Sequence, residues 1–161
     1  MKKLILVRHG KSSWEYAVSD RDRPLLERGI NDAILVSNTL VEQAIEIDAI
    51  FSSPANRALH TCTIFLRQLY LPLSKLELRD ELYDFSGNEA LKMIKSIADD
   101  FNTVMIFGHN HAFTHIANSL GNSYIDNVPT SGLVELNFNV NSWSLITKGT
   151  TQQIIFPKQL K

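Results

Sequence analysis

Short apolar runs of β-strand type alternate along this sequence with longer stretches of helical periodicity, and this alternation restricts the fold more than any other feature. The short runs cover residues 3–7, 49–51, 76–78 and 103–107. The run at 103–107 is apolar on both faces, which is typical of a central strand. The pattern therefore predicts an α/β domain with this strand in the middle of its sheet.

Capping residues mark helices between the strands. Ser53 is expected to cap a helix whose first position is Pro54. Ser86 and Glu89 have the spacing of a capping box ahead of a later helix, whose apolar stripe extends to Phe101. The periodicity predicts helices in the connections that follow the strands at 3–7, 49–51, 76–78 and 103–107.

The last part of the chain changes character. Three segments, at residues 132–138, 142–146 and 152–156, have the pattern of antiparallel strands that close one edge of the sheet. No linker, repeat or low-complexity segment interrupts the chain. A single domain over residues 1–161 is therefore expected.

Composition excludes several classes of partner. The 161 residues include 16 Lys plus Arg and 17 Asp plus Glu, a formal net charge of −1 without any block of like charges, so nucleic acid is a poor candidate partner. The longest apolar runs hold four residues, far fewer than the roughly 18 that span a bilayer. Cys62 is the only cysteine, which excludes an internal disulfide and favours the cytoplasm.

Reactive side chains follow three of the predicted strands directly. Because ligands of an open α/β sheet bind outside the carboxyl ends of its strands, these side chains are expected to converge on one crevice. Guanidinium groups match the oxygens of a phosphoryl group, so the crevice is predicted to bind phosphate. A single Arg-His pair is more often a surface feature, but three such segments favour a functional site. The segments are Arg8-His9-Gly10, Ser52-Ser53-Pro54 with Arg57, and Gly108-His109-Asn110.

Four sequence blocks together resemble the histidine phosphatase superfamily, and most closely its SixA-type phosphohistidine phosphatase branch. The blocks are LVRHGKSSW, DRDRPLLERG, SSPANRALHT and VMIFGHNHAFTHIAN. The resemblance implies a phosphoglycerate mutase-like fold, a three-layer α/β/α sandwich with a mostly parallel sheet, and no metal or organic cofactor. It also implies that His9 is the nucleophile that accepts the phosphoryl group, with Arg8, Arg57 and His109 binding its oxygens.

The resemblance suggests further site residues. Family members that cleave esters use a carboxylate on the segment after the third strand, where Glu81 is the first candidate for a general acid and Asp84 the second. Both are alternatively ordinary solvated carboxylates. Ser12 and Asn110 are the expected additional contacts to the substrate, and relatives commonly carry Ser at the position of Ser12. Gly10 and Gly108 are expected to let the backbone approach the phosphate.

Two histidines raise a competing interpretation. His111 and His115 are four residues apart on a predicted helix and could share a face, as zinc ligands do. Without a nearby cysteine, or an acid at helical spacing, lining of the pocket or ordinary surface positions are the preferred interpretation. Trp14 and Tyr83 are either rim residues or part of the core.

The leading interpretation is a metal-independent phosphatase that removes the phosphoryl group from phosphohistidine on a partner protein, such as a histidine phosphotransfer domain, through a phosphohistidine enzyme intermediate. One alternative is a phosphomonoesterase or mutase that acts on small phosphorylated molecules. Another is a phosphate-binding regulatory module without turnover. The presence of Arg8, His9, Arg57 and His109 together favours an enzyme over this module. The segment between the Arg57 helix and Glu81 is too short to form a lid over a small substrate, which favours a protein substrate.

Overall fold

Six strands form one mixed sheet in the computed structural model, which describes residues 1–161. The strands are β1 (Lys2–Arg8), β2 (Ala49–Ser52), β3 (Leu76–Leu78), β4 (Thr103–Gly108), β5 (Leu133–Phe138) and β6 (Thr150–Ile155). Their order is β3-β2-β4-β1-β5-β6. The first four are parallel, whereas β5 pairs antiparallel with β1, and β6 with β5. The predicted central position of β4 and the antiparallel edge are confirmed.

Four α-helices cover the two faces of the sheet. They are α1 (Glu27–Val41), α2 (Asn56–Gln68), α3 (Asn88–Lys95) and α4 (Ala112–Leu120). Buried residues of α1 and α2 pack into one apolar core, and those of α3 and α4 into the other. The three-layer α/β/α sandwich expected from the resemblance is therefore confirmed. None of the helices combines the length and the apolar character needed to cross a membrane.

The central strands contribute to both cores, which explains their continuous apolar runs. In β1, Leu4 and Leu6 belong to the core under α3 and α4, whereas Ile5 and Val7 belong to the core under α1 and α2. All four side chains are fully buried. Because side chains alternate between the faces of a strand, a strand that is covered on both sides must be apolar at every position.

The start of α2 differs from the prediction. The helix begins at Asn56 rather than Pro54, and its N-terminus has no side-chain cap. Ser53 Oγ instead accepts a hydrogen bond from the N–H of Ala55 at 3.2 Å, before the helix begins. Ser53 therefore stabilises the turn between β2 and α2. Its hydroxyl also lies 2.8 Å from Nε2 of His109, the residue that follows β4.

The capping box predicted for α3 is also wrong. Gly87 precedes the helix with a left-handed φ of 101°, and Asp84 Oδ2 accepts hydrogen bonds from the N–H groups of Gly87 and Ala90, both at 3.0 Å. Asp84 thus satisfies backbone donors at the start of the helix, while Ser86 Oγ accepts only from the N–H of Asn88, at 3.3 Å. The helix ends at Lys95, and Phe101 packs against the core from the following turn.

One of the three predicted tail strands is absent. Within residues 142–146 the chain forms a short 3-10 helix, Trp143–Leu145. The Trp143 backbone N–H donates to Asp99 Oδ1 at 2.9 Å and its indole N–H donates to the carbonyl of Phe101 at 2.8 Å. The side chain of Trp143 is fully buried in the core under α3 and α4, so the segment packs against this core and does not pair as a strand.

Phe65 tests the core under α1 and α2. Its ring is 1% exposed and packs edge-on against Phe107 of β4, with 5.2 Å between the ring centroids. We expect Phe65→Ala to lower the free energy of unfolding by about 3–5 kcal/mol, because it leaves a cavity in a close-packed layer. Urea unfolding followed by circular dichroism measures this. Leu73→Ala, at a residue 68% exposed, should change stability by less than about 0.5 kcal/mol; equal effects would contradict the assignment of this core.

Candidate active site

The parallel pairing of β1 with β4 brings the two strand-end histidines together. Arg8 is the register partner of Gly108, so His9 and His109 leave the sheet at the same edge, with 5.3 Å between their ring centroids. Arg57, in the first turn of α2, places its Nε 3.4 Å from His9 Nε2. The structure thus brings together the strand-end residues that the sequence predicted for one site, Arg8, His9, Arg57 and His109.

Arg8, His9 and Arg57 line a cavity of about 300 Å³ at the carboxyl ends of the parallel strands, which we call the crevice, whereas His109 is fully buried next to His9. The rim of the crevice carries aromatic and cationic side chains, and only one carboxylate lines it. The lining residues are Arg8, His9, Lys11, Ser12, Trp14, Asp20, Arg23, Arg57, Phe85, Asn110 and Thr130.

His9 is held in one tautomer. Its Nδ1 lies 2.7 Å from the carbonyl oxygen of Gly10. A carbonyl can only accept, so Nδ1 carries the ring proton and Nε2 keeps its lone pair. Burial, with a smaller effect of Arg57 and Arg8, lowers the pKa of His9 to about 3, although the bond to Gly10 opposes this shift. His9 is therefore a neutral imidazole whose unprotonated Nε2 accepts a hydrogen bond from Arg57 Nε.

His109 is fully buried among aromatic rings. Its Nε2 lies 2.8 Å from Ser53 Oγ, and the rings of Tyr83 and Phe85 lie 5.3 and 5.1 Å from its centroid. Its Nδ1 has no hydrogen-bond partner within the protein. Burial, followed by His9 and Arg57, lowers the pKa of His109 to about 3. A neighbouring anion would oppose this shift, so the charge of His109 depends on what the crevice binds.

The two arginines of the site are held by backbone oxygens. Arg57 is 3% exposed and donates from Nη1 to the carbonyl of Asp20 at 2.6 Å. Arg8 donates from Nη1 to the carbonyl of Val128 at 2.9 Å, while its buried Nε has no acceptor in the protein. A buried N–H without an acceptor is costly, by about 1–3 kcal/mol, so this donor is suited to an anionic ligand.

Asp20 is the site residue that sequence reasoning missed. Its carboxylate accepts hydrogen bonds from Tyr83 OH at 2.6 Å, from Arg57 Nη2 at 2.9 Å and from Arg23 Nη1 at 3.2 Å. Burial favours a raised pKa for Asp20, but the bonds from Tyr83 and Arg57 outweigh it and lower the pKa to about 2. The residue stands in the DRDRPLLERG block, whose mixed charges gave no sign of which side chain turns inward.

Neither carboxylate predicted as the general acid lies in the crevice. Glu81 pairs with Arg79 and lines a separate cleft with Glu89 and Met93. Asp84 is occupied as the cap of α3. The expected position of Glu81 at the phosphoryl site is therefore not observed, because its carboxylate pairs with Arg79 at the other cleft.

Ser12 and Asn110 both line the crevice, but their polar atoms have partners in the scaffold. Ser12 Oγ accepts a hydrogen bond from Arg23 Nη2 at 2.6 Å. Asn110 Oδ1 accepts from the N–H of Thr114 at 3.1 Å, and its Nδ2 donates to Asn127 at 2.7 Å. Their contact with a substrate stays a prediction.

The two glycines of the strand-end motifs are needed for packing. A Cβ at Gly10 would lie 2.8 Å from the carbonyl oxygen of Gly29 in α1, and one at Gly108 would lie 2.7 Å from the ring of Phe113. These distances are shorter than real Cβ contacts. The backbone of both motifs therefore approaches a helix closely, in addition to bordering the crevice.

The remaining candidates lie at the surface. His111 and His115 are both exposed, and no group of three or more His, Cys, Asp or Glu side chains is arranged to hold a metal ion. Trp14 is a rim residue: it is 77% exposed, and the guanidinium carbon of Arg23 lies 3.3 Å from its ring centroid. Tyr83 is half-buried and contacts both His109 and Asp20.

Comparison with known proteins agrees with this geometry. The family model of the histidine phosphatase superfamily (branch 1) matches residues 4–103. This chain belongs to that superfamily, and it is a phosphatase by family. The uncharacterized protein ML1117 of Mycobacterium leprae is 30% identical over 144 residues, which cover 81% of this chain and 86% of that protein. A 2,3-bisphosphoglycerate-dependent phosphoglycerate mutase of Histophilus somni is 38% identical over 78 residues, but these cover only 34% of the mutase.

Solved structures support the fold. The protein histidine phosphatase SixA, in complex with tungstate, superposes with a TM-score of 0.82 over 99% of both chains at 24% identity. A putative phosphohistidine phosphatase SixA from Agrobacterium tumefaciens gives a TM-score of 0.80 over 96% of this chain and 97% of that one, at 23% identity. At such identities these likenesses establish a shared phosphoglycerate mutase-like fold.

The buried neutral histidines predict a specific acid sensitivity. The pKa of His9 and that of His109 are about 3 in the folded protein, against about 6.5 for an unperturbed histidine. The unfolded chain therefore binds more protons below pH 6.5, and the free energy of unfolding falls as the pH falls, by up to about 1.4 kcal/mol per pH unit for each histidine.

Urea unfolding at pH 6.5, 5.5 and 4.5 measures this slope. Replacing His9 by Gln removes one of the two proton-binding groups, so the loss of stability with falling pH should be shallower in His9→Gln than in the wild type. The same slope in both proteins would contradict a neutral, buried His9.

Proposed function

We propose that this protein is a phosphohistidine phosphatase, which removes the phosphoryl group from a histidine on a partner protein through a covalent intermediate on His9. The observation that carries the proposal is the fixed tautomer of His9, which lines the crevice and whose unprotonated Nε2 lies next to Arg57 Nε. The name of the SixA structure provides the substrate class. A cytoplasmic location, a role in signal transduction and a single domain over residues 1–161 are part of the same proposal.

The reaction proceeds by two transfers. His9 Nε2 attacks phosphorus, and the new P–N bond forms as the bond to the substrate ring breaks. A substrate ring that carries a proton on its other nitrogen leaves as neutral imidazole. Water then attacks the phosphoryl group on His9, which releases inorganic phosphate and restores the neutral ring. Arg8, Arg57 and His109 stabilise the charge on the phosphoryl oxygens in both steps, because fixed donors need no rearrangement in the transition state.

The absence of a placed proton donor favours phosphohistidine over phosphate esters. The carboxylate that lines the crevice, Asp20, is ionised and tied to Arg57, and Glu81 and Asp84 lie elsewhere. An imidazole leaving group has a conjugate acid with a pKa of about 6.5, whereas an alkoxide is far more basic and depends on a donated proton. This chemistry can therefore turn over phosphohistidine without a general acid.

The access to the crevice also supports a protein substrate. Between the end of α2 at Gln68 and the turn at Asp80–Leu82, the chain forms only the 3-10 turn Leu73–Lys75 and the three-residue strand β3. No helical segment from this part of the chain covers the crevice. An open site of this kind suits a phosphoryl group that is presented on the surface of another protein.

His9→Ala should abolish turnover of a phosphohistidine substrate and leave the fold intact, because the side chain lies at the end of a strand and serves the chemistry. In the wild type, rapid acid-free quenching during turnover should trap an acid-labile label on His9, detected by mass spectrometry. His115→Ala, at an exposed histidine outside the crevice, is the matched control and should retain full activity. Wild-type rates in His9→Ala would exclude the mechanism.

The second prediction concerns substrate class. We expect kcat/KM for a phosphorylated histidine phosphotransfer protein, or for a phosphohistidine peptide, to exceed that for phosphoglycerates and sugar phosphates by at least about a hundredfold, or about 2.7 kcal/mol in transition-state stabilisation. A panel of substrates at equal concentration measures the ratio.

Glu81→Gln provides the control for this panel. Because Glu81 lies in a separate cleft, its replacement should leave the hydrolysis of both substrate classes unchanged. A preference for a small phosphate ester with phosphohistidine inert, or a selective loss of ester hydrolysis in Glu81→Gln, would favour the alternative of a small-molecule phosphomonoesterase. Phosphate binding without turnover of any substrate would indicate the regulatory module.

A further inference from the structure

Asp20 places a negative charge inside a crevice that is otherwise built to bind an anion. It belongs to the short 3-10 segment Asp20–Asp22 in the connection between β1 and α1. No other carboxylate lines the crevice, where Arg8, Arg57, Arg23 and Lys11 supply positive charge. This carboxylate therefore stands among the groups that a phosphoryl dianion would use.

The contacts of Asp20 occupy the end of the Arg57 guanidinium group. Nη1 donates to the backbone carbonyl of Asp20 at 2.6 Å and Nη2 donates to its carboxylate at 2.9 Å, while Nε is directed at His9. A phosphoryl group bound at His9 must share Arg57 with this carboxylate or replace it. The two anions also repel each other, which weakens the binding of phosphate.

Asp20 is the partner in this ion pair that can move. Arg57 is 3% exposed and fixed in the first turn of α2, whereas the Asp20 side chain is 41% exposed. The segment Asp20–Asp22 contains no buried residue that would anchor it. Tyr83 OH donates to Oδ2, the oxygen that Arg57 also contacts, and Arg23 donates to Oδ1, so the carboxylate has two partners left when its bond to Arg57 is exchanged.

We propose that Asp20 is a positioning residue that competes with phosphoryl oxygens for Arg57 and thereby weakens the binding of the phosphate product. The proposal rests on the proposed function, since it requires a phosphoryl site at His9. Its consequence is that the donors needed in the transition state do not retain phosphate tightly after hydrolysis. Interactions that bind product and transition state equally would slow turnover at the release step.

Asp20→Asn tests the competition because it removes the charge and keeps an oxygen that can accept from Arg57 and Tyr83. We expect the Kd of inorganic phosphate, measured by isothermal titration calorimetry, to fall at least about fivefold, since two unit charges 4 Å apart interact by about 1 kcal/mol even in bulk water. The Ki of phosphate as a competitive product inhibitor should fall by the same factor. A substitution that only damaged the structure would weaken phosphate binding, so tighter binding distinguishes the loss of competition from structural damage.

Asp22→Asn is the matched control, because Asp22 lies on the same segment and its side chain accepts a hydrogen bond only from Ser19. The Kd of this variant for phosphate should stay within about twofold of the wild-type value, because a charge that does not contact Arg57 has a smaller effect than one at short range. Asp20→Ala, which removes both the charge and the acceptor, provides a second variant and should also bind phosphate more tightly than the wild type.

The outcomes separate the two proposals. Unchanged or weaker phosphate binding in both Asp20 variants, with normal binding in the wild type, would overturn the competition and leave the proposed function standing. Equal tightening in Asp22→Asn would overturn it too, because the effect would then come from net charge and not from the contact with Arg57. Failure of the wild type and every variant to bind phosphate would overturn both proposals.

Discussion

The register between β1 and β4 is the constraint on which the rest of the site depends. It places Arg8 opposite Gly108, and the two histidines that follow these residues consequently meet at one edge of the sheet. The register is itself fixed by packing, because Val7 and Phe107 face one core while Leu6 and Ile106 face the other. A slip by one residue would turn every side chain of the strand to the wrong face. The cores and the site are therefore consequences of the same alignment.

Burial distributes charge unequally within the site. An arginine keeps its charge when it is desolvated, whereas a histidine loses its proton. His9 and His109 are consequently neutral, with pKa values of about 3, next to guanidinium groups that remain charged. One desolvated environment thus provides both the unprotonated imidazole nitrogen and the fixed positive charge that the proposed phosphoryl transfer requires. Asp20 balances part of this charge from the more exposed side of the crevice.

The sequence predicted most of this molecule because its strongest signals are local. Strand periodicity and the residues directly after each strand were enough to bring Arg8, His9, Arg57 and His109 together, since parallel strands share one carboxyl edge. The errors concern side-chain contacts that periodicity does not show. Glu81 pairs with Arg79, two residues away, and does not line the crevice, whereas the inward orientation of Asp20 depends on Tyr83, which is 63 residues away along the chain. Trp143 likewise left its predicted strand because of Asp99.

Such side-chain contacts, which local patterns do not reveal, determine what the site formed by Arg8, His9, Arg57 and His109 can do. The same four side chains could serve esters or phosphoramidates, because they bind only the phosphoryl group. The difference lies in the leaving group, and an acid kept protonated near neutral pH is needed only where that group is strongly basic. Here the nearest carboxylate is held ionised by Arg57 and Tyr83, with a pKa of about 2. The environment of Asp20 therefore supports the proposed preference for leaving groups that depart without a donated proton.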